Sequence, residues 1–293
     1  VTLMVNRGYC VDPEVRILTA DLRWVRAGDV RPELAILGVD ENPPGYRKHR
    51  KLRVTGIESV TQFIAPRVRV VTDVGDIVVS RNHPFLTTKM TVAGDNWHGY
   101  RWSHASTLKP GWRIARLCSP WIEEQSWEAG WLAGMYDGEG CLPMSKLNIQ
   151  LDICQKPGLA ADQIRIGLQR RGLLHGERTQ PGQVTTFRTY GVDAVILALG
   201  SLRPVRLLDT FRRDIQRRGW PSKSKSPATV QAVEPLRDGP VVGLQTGTQT
   251  LITDGLVSHN SSQSAMYEAA NRFKRAGRPG ILFYLGDHDP SGE

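Results

Sequence analysis

The apolar pairs Leu251-Ile252 and Leu256-Val257 flank Asp254-Gly255, a strand–turn–strand signal, and the second strand runs directly into His259-Asn260-Ser261. A hairpin ending this way delivers three reactive side chains in consecutive positions. An asparagine side-chain amide can attack its own backbone carbonyl, close a succinimide and break the chain after itself. His259 is placed to polarise that carbonyl, and Ser261 offers a hydroxyl that can take an acyl group. A His-Asn-Ser tripeptide by itself is most often an ordinary polar turn, so its meaning depends on what accompanies it.

With 293 residues the chain has room for about two domains. A hydrophobic content of 40% supports a globular core, and no apolar run approaches the roughly 20 residues of a membrane span. Val1–Tyr9 is short and lacks a cleavage-site pattern, so no signal peptide is expected. Cys10, Cys118, Cys141 and Cys154 are scattered without CxxC pairs. That argues against a zinc site or a disulfide framework and for a reducing compartment. Cys118, Cys141 and Cys154 read as buried small hydrophobes. The net charge is +9, and residues 162–225 hold thirteen Lys/Arg against five Asp/Glu. Charge concentrated in this way points to a polyanion, nucleic acid first.

From Cys10 to about Pro120 the texture is β, with short runs at Leu34–Val39, Leu52–Ile57, Val68–Thr72, Ile77–Ser80 and Ile114–Leu117. Val25–Val30 and Thr107–Ile114 echo one another, as expected of a β-fold built from two related halves. The basic run Arg47–Lys51 follows a Pro43-Pro44-Gly45 turn and reads as an exposed loop. The texture changes at Glu123. Helices are expected at Trp127–Tyr136, Leu159–Arg171, Val192–Leu202 and Val205–Arg218, with strands at Leu147–Ile153 and Thr185–Tyr190, an α-β-α-β-α-α order. β texture returns at Thr229–Glu234 and Val241–Leu244. Beyond Ser261, Ser262–Ala276 reads as a capped helix and Gly280–Leu285 as a buried strand.

Residues 10–260 resemble an intein, a self-excising protein segment. Cys10-Val11-Asp12-Pro13, followed by Ile17-Leu18-Thr19-Ala20, resembles the N-terminal splicing block. Ser80-Arg81-Asn82-His83 resembles the Thr-x-x-His block with Ser80 in the Thr position, and Val241–Asn260 resembles the two C-terminal blocks. The resemblance implies an all-β Hint-type, horseshoe-like splicing domain that needs no cofactor. His83 would hydrogen-bond the Tyr9–Cys10 amide and protonate its leaving nitrogen while the Cys10 sulfur attacks the Tyr9 carbonyl. A free thiol pKa near 8.5 would leave Cys10 partly ionised at neutrality. Ser261 would then take the acyl group, Asn260 would cyclise with help from His259, and Tyr9 would end joined to Ser261. Two positions depart from the family. Gly243 stands where it often carries a catalytic Asp or Cys, and Gln249 where it carries a second C-terminal histidine, which leaves assistance to Asp254 or a water.

Leu132-Ala133-Gly134-Met135-Tyr136-Asp137-Gly138-Glu139-Gly140 resembles the motif of LAGLIDADG (DOD-type) homing endonucleases. That implies an α+β nuclease domain acting on double-stranded DNA with Mg²⁺. Glu139 would be the metal ligand over the scissile phosphate, and Asp137 would cap and pack the helix end. Ala194–Leu202 brings no acid, so one motif implies a homodimer through its motif helix, or a decayed enzyme. Basic strands would lie in the major groove, with Arg165, Arg170, Arg171, Arg178 and Arg188 as candidate DNA contacts.

The remaining flanks make sense when joined: strand, capped helix, strand, then Asp287-His288-Asp289. This βαβ piece of an α/β domain resembles a TOPRIM-type fold of the topoisomerase VI/Spo11 kind, with Asp287 and Asp289 as candidate Mg²⁺ ligands. The expected domains are 1–9, an N-terminal flank; 10–122 and 227–260, the two pieces of the splicing domain; 123–226, the endonuclease; and 261–293, a C-terminal flank. No membrane and no small-molecule cofactor are expected, and family habit implies the cytoplasm of a bacterial or phage-infected cell. The rivals are a TOPRIM-type metal-dependent DNA enzyme carrying a non-splicing insertion, and hedgehog-like autoprocessing without ligation. The second leaves His259-Asn260-Ser261 without a role.

Overall fold

The computed structural model describes residues 9–43, 50–88, 100–143, 149–179, 184–221 and 226–260. Ser261, Asp287, Asp289 and the expected helix and strand at 262–285 lie outside the described residues. The chain divides into two compact units, one of Asn6–Ser261 and one of Val1–Val5 with Ser262–Glu293, and every described residue belongs to the first.

The fold is mostly β, with a large antiparallel sheet at its centre. Its spine is a ribbon of two long strands, Lys51–Thr72 and Ala228–Thr246. Each was expected as two short strands, yet one runs through Pro66 and the other through Pro235 and Pro240. The ribbon absorbs them instead. Register shifts fall between Val230 and Ala232, Leu236 and Gly239, and Gln245 and Thr246. A bulge of this kind tolerates a residue that cannot donate to the ladder and adds twist without ending the strand.

The expected pairing of Val25–Val30 with Thr107–Ile114 is out of register: the segments that fold alike are Trp24–Glu33 and Trp102–Gly111. Arg16–Leu18 pairs with Trp24–Arg26, and Pro84–Leu86 pairs with Trp102–His104. Each second strand runs into a 3-10 turn, Ala27–Asp29 and Ala105–Thr107, whose alanine is fully buried. The Ala27 amide donates to Val15 O and the Ala105 amide to His83 O. Both copies then place a residue in the left-handed region, Glu33 at φ 72° and Gly111 at φ 84°. The turn before the first copy, closed by Val15 N to Asp12 O, corresponds to the turn closed by His83 N to Ser80 O. Cys10 and the Ser80–His83 turn thus enter the sheet through related pieces of chain.

Residues 123–226 form a second layer on this frame. Helix α1 (Trp127–Glu139), with Ser126 capping it, leads to an antiparallel hairpin. Helix α2 (Leu159–Arg170) leads to a second hairpin, and helices α3 (Val192–Leu202) and α4 (Val205–Arg218) follow. The strands form one four-stranded antiparallel sheet, so the order is αββαββαα. Gly140–Cys141 and Gly176–Thr179 are the strands that pattern alone missed, being short and polar. The expected boundaries at 122 and 226 do not separate one apolar core from another. A single cluster joins Leu18, Leu37 and Leu52 to Leu132, Phe187, Leu199 and Phe211. Trp220 pairs with Leu52 and carries the insertion back into the large sheet. Among the described residues no helix is long and apolar enough to cross a membrane.

Candidate functional site

Cys10 is 2% exposed and held from both sides by one residue. Its amide donates to Ser80 Oγ at 2.9 Å, and the Ser80 amide donates to Cys10 O at 2.9 Å. Val11 continues into the sheet, exchanging amide bonds with Val242 at 3.0 and 2.7 Å. That register sets Gly243 beside the nucleophile. A Cβ on Gly243 would stand 3.2 Å from Cys10 Sγ and 2.8 Å from Thr61 Oγ1. Position 243 therefore faces the sulfur, and glycine leaves that space open.

Burial pushes the Cys10 thiol up to about 12, because a thiolate among Ala65, Val241 and Phe63 has lost its water. This corrects the expectation of a partly ionised cysteine at neutrality. His83 lies on the opposite course: burial, then the nearby His259 and His104, hold its ring down to about 3. It is 1% exposed, packs edge-on to Phe85 at 4.9 Å, and has no hydrogen-bond partner for either ring nitrogen among the described residues. The expected bond donated by His83 to the Tyr9–Cys10 amide is absent among the described residues, and the N–H of that amide donates to Ser80 Oγ. His83 enters this site as a neutral imidazole.

The strands Thr250–Thr253 and Leu256–His259 form the expected hairpin. His259 Nδ1 lies 2.6 Å from the oxygen of the Asn260 carbonyl, the group that an asparagine side-chain attack would add to. The Asn260 side chain is anchored by Nδ2 donating to Thr246 Oγ1 at 3.1 Å, and its amide donates to Gln249 O at 3.0 Å. Gln249 thus acts through its backbone, in a left-handed turn at φ 57°, and supplies no ring to the site. Asp254 does not replace it. The hairpin pairs Thr250 with His259, leaving Asp254 in the turn at the far end, bonded to Arg16 Nε at 2.6 Å.

Two residues sequence reasoning passed over complete the site. Glu41 Oε1 lies 2.8 Å from His259 Nε2, and Thr246 holds the attacking amide. Thr246 lies inside the C-terminal block and was legible as a buried hydroxyl on a β-strand, whereas Glu41 carried no local signal. Both ends of the segment converge here. The Tyr9 ring is 6.1 Å from the His259 ring and 5.8 Å from His104, and Trp102 packs edge-on against His259 at 4.9 Å.

The second constellation is arranged differently. Both Asp137 oxygens accept backbone amides at the start of α4, Val205 N at 2.8 Å and Arg206 N at 2.9 Å. Arg206 returns the contact by donating to the Tyr136, Asp137 and Gly140 carbonyls at the end of α1. Glu139 is exposed at the last position of α1. Among the described residues no three His, Cys, Asp or Glu side chains gather as a metal set. With Asp137 committed to amides, Glu139 is the carboxylate left free at this helix end among the described residues of one copy. Arg178 and Arg188 lie on the outer face of the four-stranded sheet. Arg165, Arg170 and Arg171 lie on the helix side in ion pairs with Glu177 and Asp162, with Glu128, and with Glu124.

No family model and no curated protein matches this sequence. Among solved structures, a DnaB intein from Synechocystis sp. PCC 6803 aligns over 86% of this chain and 98% of its own, at 10% identity and a TM-score of 0.41. The gp41-1 intein aligns over 86% of this chain and 99% of its own, at 8% identity and a TM-score of 0.36. At such identities and scores these likenesses carry no functional weight.

Proposed function

We propose that residues 10–260 excise themselves from the chain and join Tyr9 to Ser261. The observation that carries this reading is the meeting of Tyr9 and His259, neighbours of the two cleavable bonds, with ring centroids 6.1 Å apart. The reaction is three acyl transfers and a cyclisation. The Cys10 sulfur adds to the Tyr9 carbonyl carbon, and the Cys10 nitrogen departs with the proton the thiol gives up. Ser80 Oγ steers that nitrogen, and His83, whose amide closes the turn on Ser80 O, is a neutral imidazole able to accept a proton. The Ser261 hydroxyl then displaces the sulfur from the acyl carbon. Asn260 Nδ2 attacks its own carbonyl, releasing the residue 261 nitrogen, and that amine takes the acyl group from its own oxygen to leave an amide.

Expression of the chain with Cys10→Ala and Asn260→Ala variants, read by intact mass, tests it. The expected products are a free 10–260 segment and a ligated Tyr9–Ser261 flank. Finding only intact precursor from the unmutated chain sinks the proposal. Cleavage at Cys10 without ligation would favour autoprocessing.

A DNA endonuclease in residues 123–226 is a second reading, supported by the outward face of α1. Gly130, Gly134 and Gly138 are exposed on one stripe, and a Cβ on any of them would meet nothing within 4 Å. Trp127 on the same helix is 80% exposed. A second copy packed there would bring two Glu139 carboxylates together as oxygen ligands for Mg²⁺, with Arg178 and Arg188 of each sheet facing DNA. The test is Mg²⁺-dependent cutting of DNA spanning the uninterrupted host allele, abolished by Glu139→Gln. Binding without cutting marks a relic.

A further inference from the structure

Glu41 follows the strand Ala35–Val39, and its carboxylate reaches across 218 positions to His259. The geometry of that ring fixes its protons. Nδ1 lies 2.6 Å from a carbonyl oxygen, which only accepts, so Nδ1 carries a hydrogen. Nε2, 2.8 Å from Glu41 Oε1, is then either an N–H donor to a carboxylate or an acceptor from a carboxylic acid. The surroundings favour the carboxylate. Arg50 donates to the Asp40 and Glu41 carbonyls, keeping a guanidinium beside Glu41, and it lies over the Trp102 ring at 5.4 Å. Trp102 in turn closes one side of His259.

We propose that Glu41 is a positioning residue for the excision step, holding His259 doubly protonated with Nδ1–H aimed at the Asn260 carbonyl; this rests on the splicing reading above. The charged and titratable groups around His259 are Glu41, His83, the Tyr9 ring with His104 on it and, behind Trp102, Arg50. Of these only Glu41 carries the negative charge that favours a cationic ring; the Arg50 guanidinium opposes it, and His83 is neutral.

The step balances within the site. Asn260 Nδ2 forms a bond to the Asn260 carbonyl carbon, and the displaced electron pair goes to the oxygen that Nδ1–H already contacts. When the pair returns, the bond to the residue 261 nitrogen breaks. The nitrogen leaves with the Nδ1 proton, and the proton lost from Nδ2 restores the imidazolium. No oxidant, reductant or outside nucleophile enters.

The experiment isolates this step in a Cys10→Ala chain, where cleavage after Asn260 is measured by mass across pH 5 to 9. Glu41→Gln is expected to slow cleavage about tenfold at pH 7.5, the effect of losing a favourable partner for the charged acid, with the rate recovering toward pH 5. Glu41→Asp is expected to retain some of it. A Glu41→Gln profile that matches the parent, or falls by one factor at every pH, overturns the proposal. A second reading needs no activity. In the Asn260→Ala chain at pH 7.5, ¹⁵N resonances of the His259 ring are expected to show two N–H groups, and one after Glu41→Gln. Two N–H groups alongside an unmutated chain that yields only intact precursor would uphold the Glu41 assignment and refute splicing. One N–H with Glu41 intact refutes the assignment whatever the splicing result.

Discussion

The Cys10 amide and the Ser80 hydroxyl form a reciprocal pair, with Cys10 N donating to Ser80 Oγ and Ser80 N donating to Cys10 O, each at 2.9 Å. The nitrogen that must leave in the first acyl shift is therefore steered by a serine. Ser80→Ala removes the acceptor while the backbone half of the pair remains. The expected result is at least a tenfold loss in thiol-induced cleavage at Cys10, about 1.4 kcal/mol of barrier. Ser80→Thr should keep most of the rate. Unchanged cleavage in Ser80→Ala would show that the bond has no kinetic role.

His83 makes the fold acid-sensitive in a defined window. An ordinary histidine titrates near 6.5, whereas burial, then His259 and His104, hold His83 down to about 3. Between those values the unfolded chain takes up a proton that the folded chain refuses. Stability from this source is complete above about pH 6.5 and is lost as pH falls toward 3. Measured in the Cys10→Ala, Asn260→Ala background, the unfolding free energy should fall more steeply with acid than in the same chain carrying His83→Phe. Parallel curves would mean the ring is solvated in solution.

Asp137 ties α1 to α4 by accepting two amides at the first turn of α4. A carboxylate there satisfies donors with no intrahelical partner and sits favourably at the positive end of the helix. Asp137→Ala is expected to lower unfolding stability by about 1–2 kcal/mol, and Asp137→Asn by less, because one acceptor survives. Chemical denaturation checks both. If Asp137→Ala costs nothing while DNA cutting is lost, Asp137 belongs to the nuclease chemistry and not to the fold.

What the sequence made legible, and what it hid, divides by range. α3 and α4 match their expected bounds because apolar spacing and the flanking Gly191, Pro204 and Gly219 are local signals. The terminal hairpin is local too, punctuated by Asp254-Gly255. The long ribbon was hidden, since prolines that stop an isolated strand are tolerated where a partner strand shifts register. The site was half legible. Cys10, His83, His259 and Asn260 announce themselves by residue type and order, whereas Glu41 meets His259 only through the folding of the sheet. Burial hid the rest: no composition reveals that Cys10 loses its water or that His83 lies dry.

Gly243 stands beside the nucleophile. Its neighbours show what a side chain would do there. An added Cβ stands 2.8 Å from Thr61 Oγ1, a distance that real contacts do not sustain, and 3.2 Å from Cys10 Sγ. Thr61 is the cross-strand partner of Gly243 and is only partly buried, so its hydroxyl can rotate toward solvent. The sulfur, enclosed by Ala65, Val241 and Phe63, cannot move as freely. Gly243→Ala should therefore fold, with a destabilisation of about 1 kcal/mol from overpacking, while slowing cleavage at Cys10 by crowding the path of attack. Thr61→Ala in the Gly243→Ala chain should restore stability, because it removes the clashing oxygen, and leave cleavage slow, because the methyl still faces the sulfur. Thermal melts and thiol-induced cleavage rates separate the two effects. If the double variant regains both stability and rate, the crowding acts through Thr61 and not on Cys10.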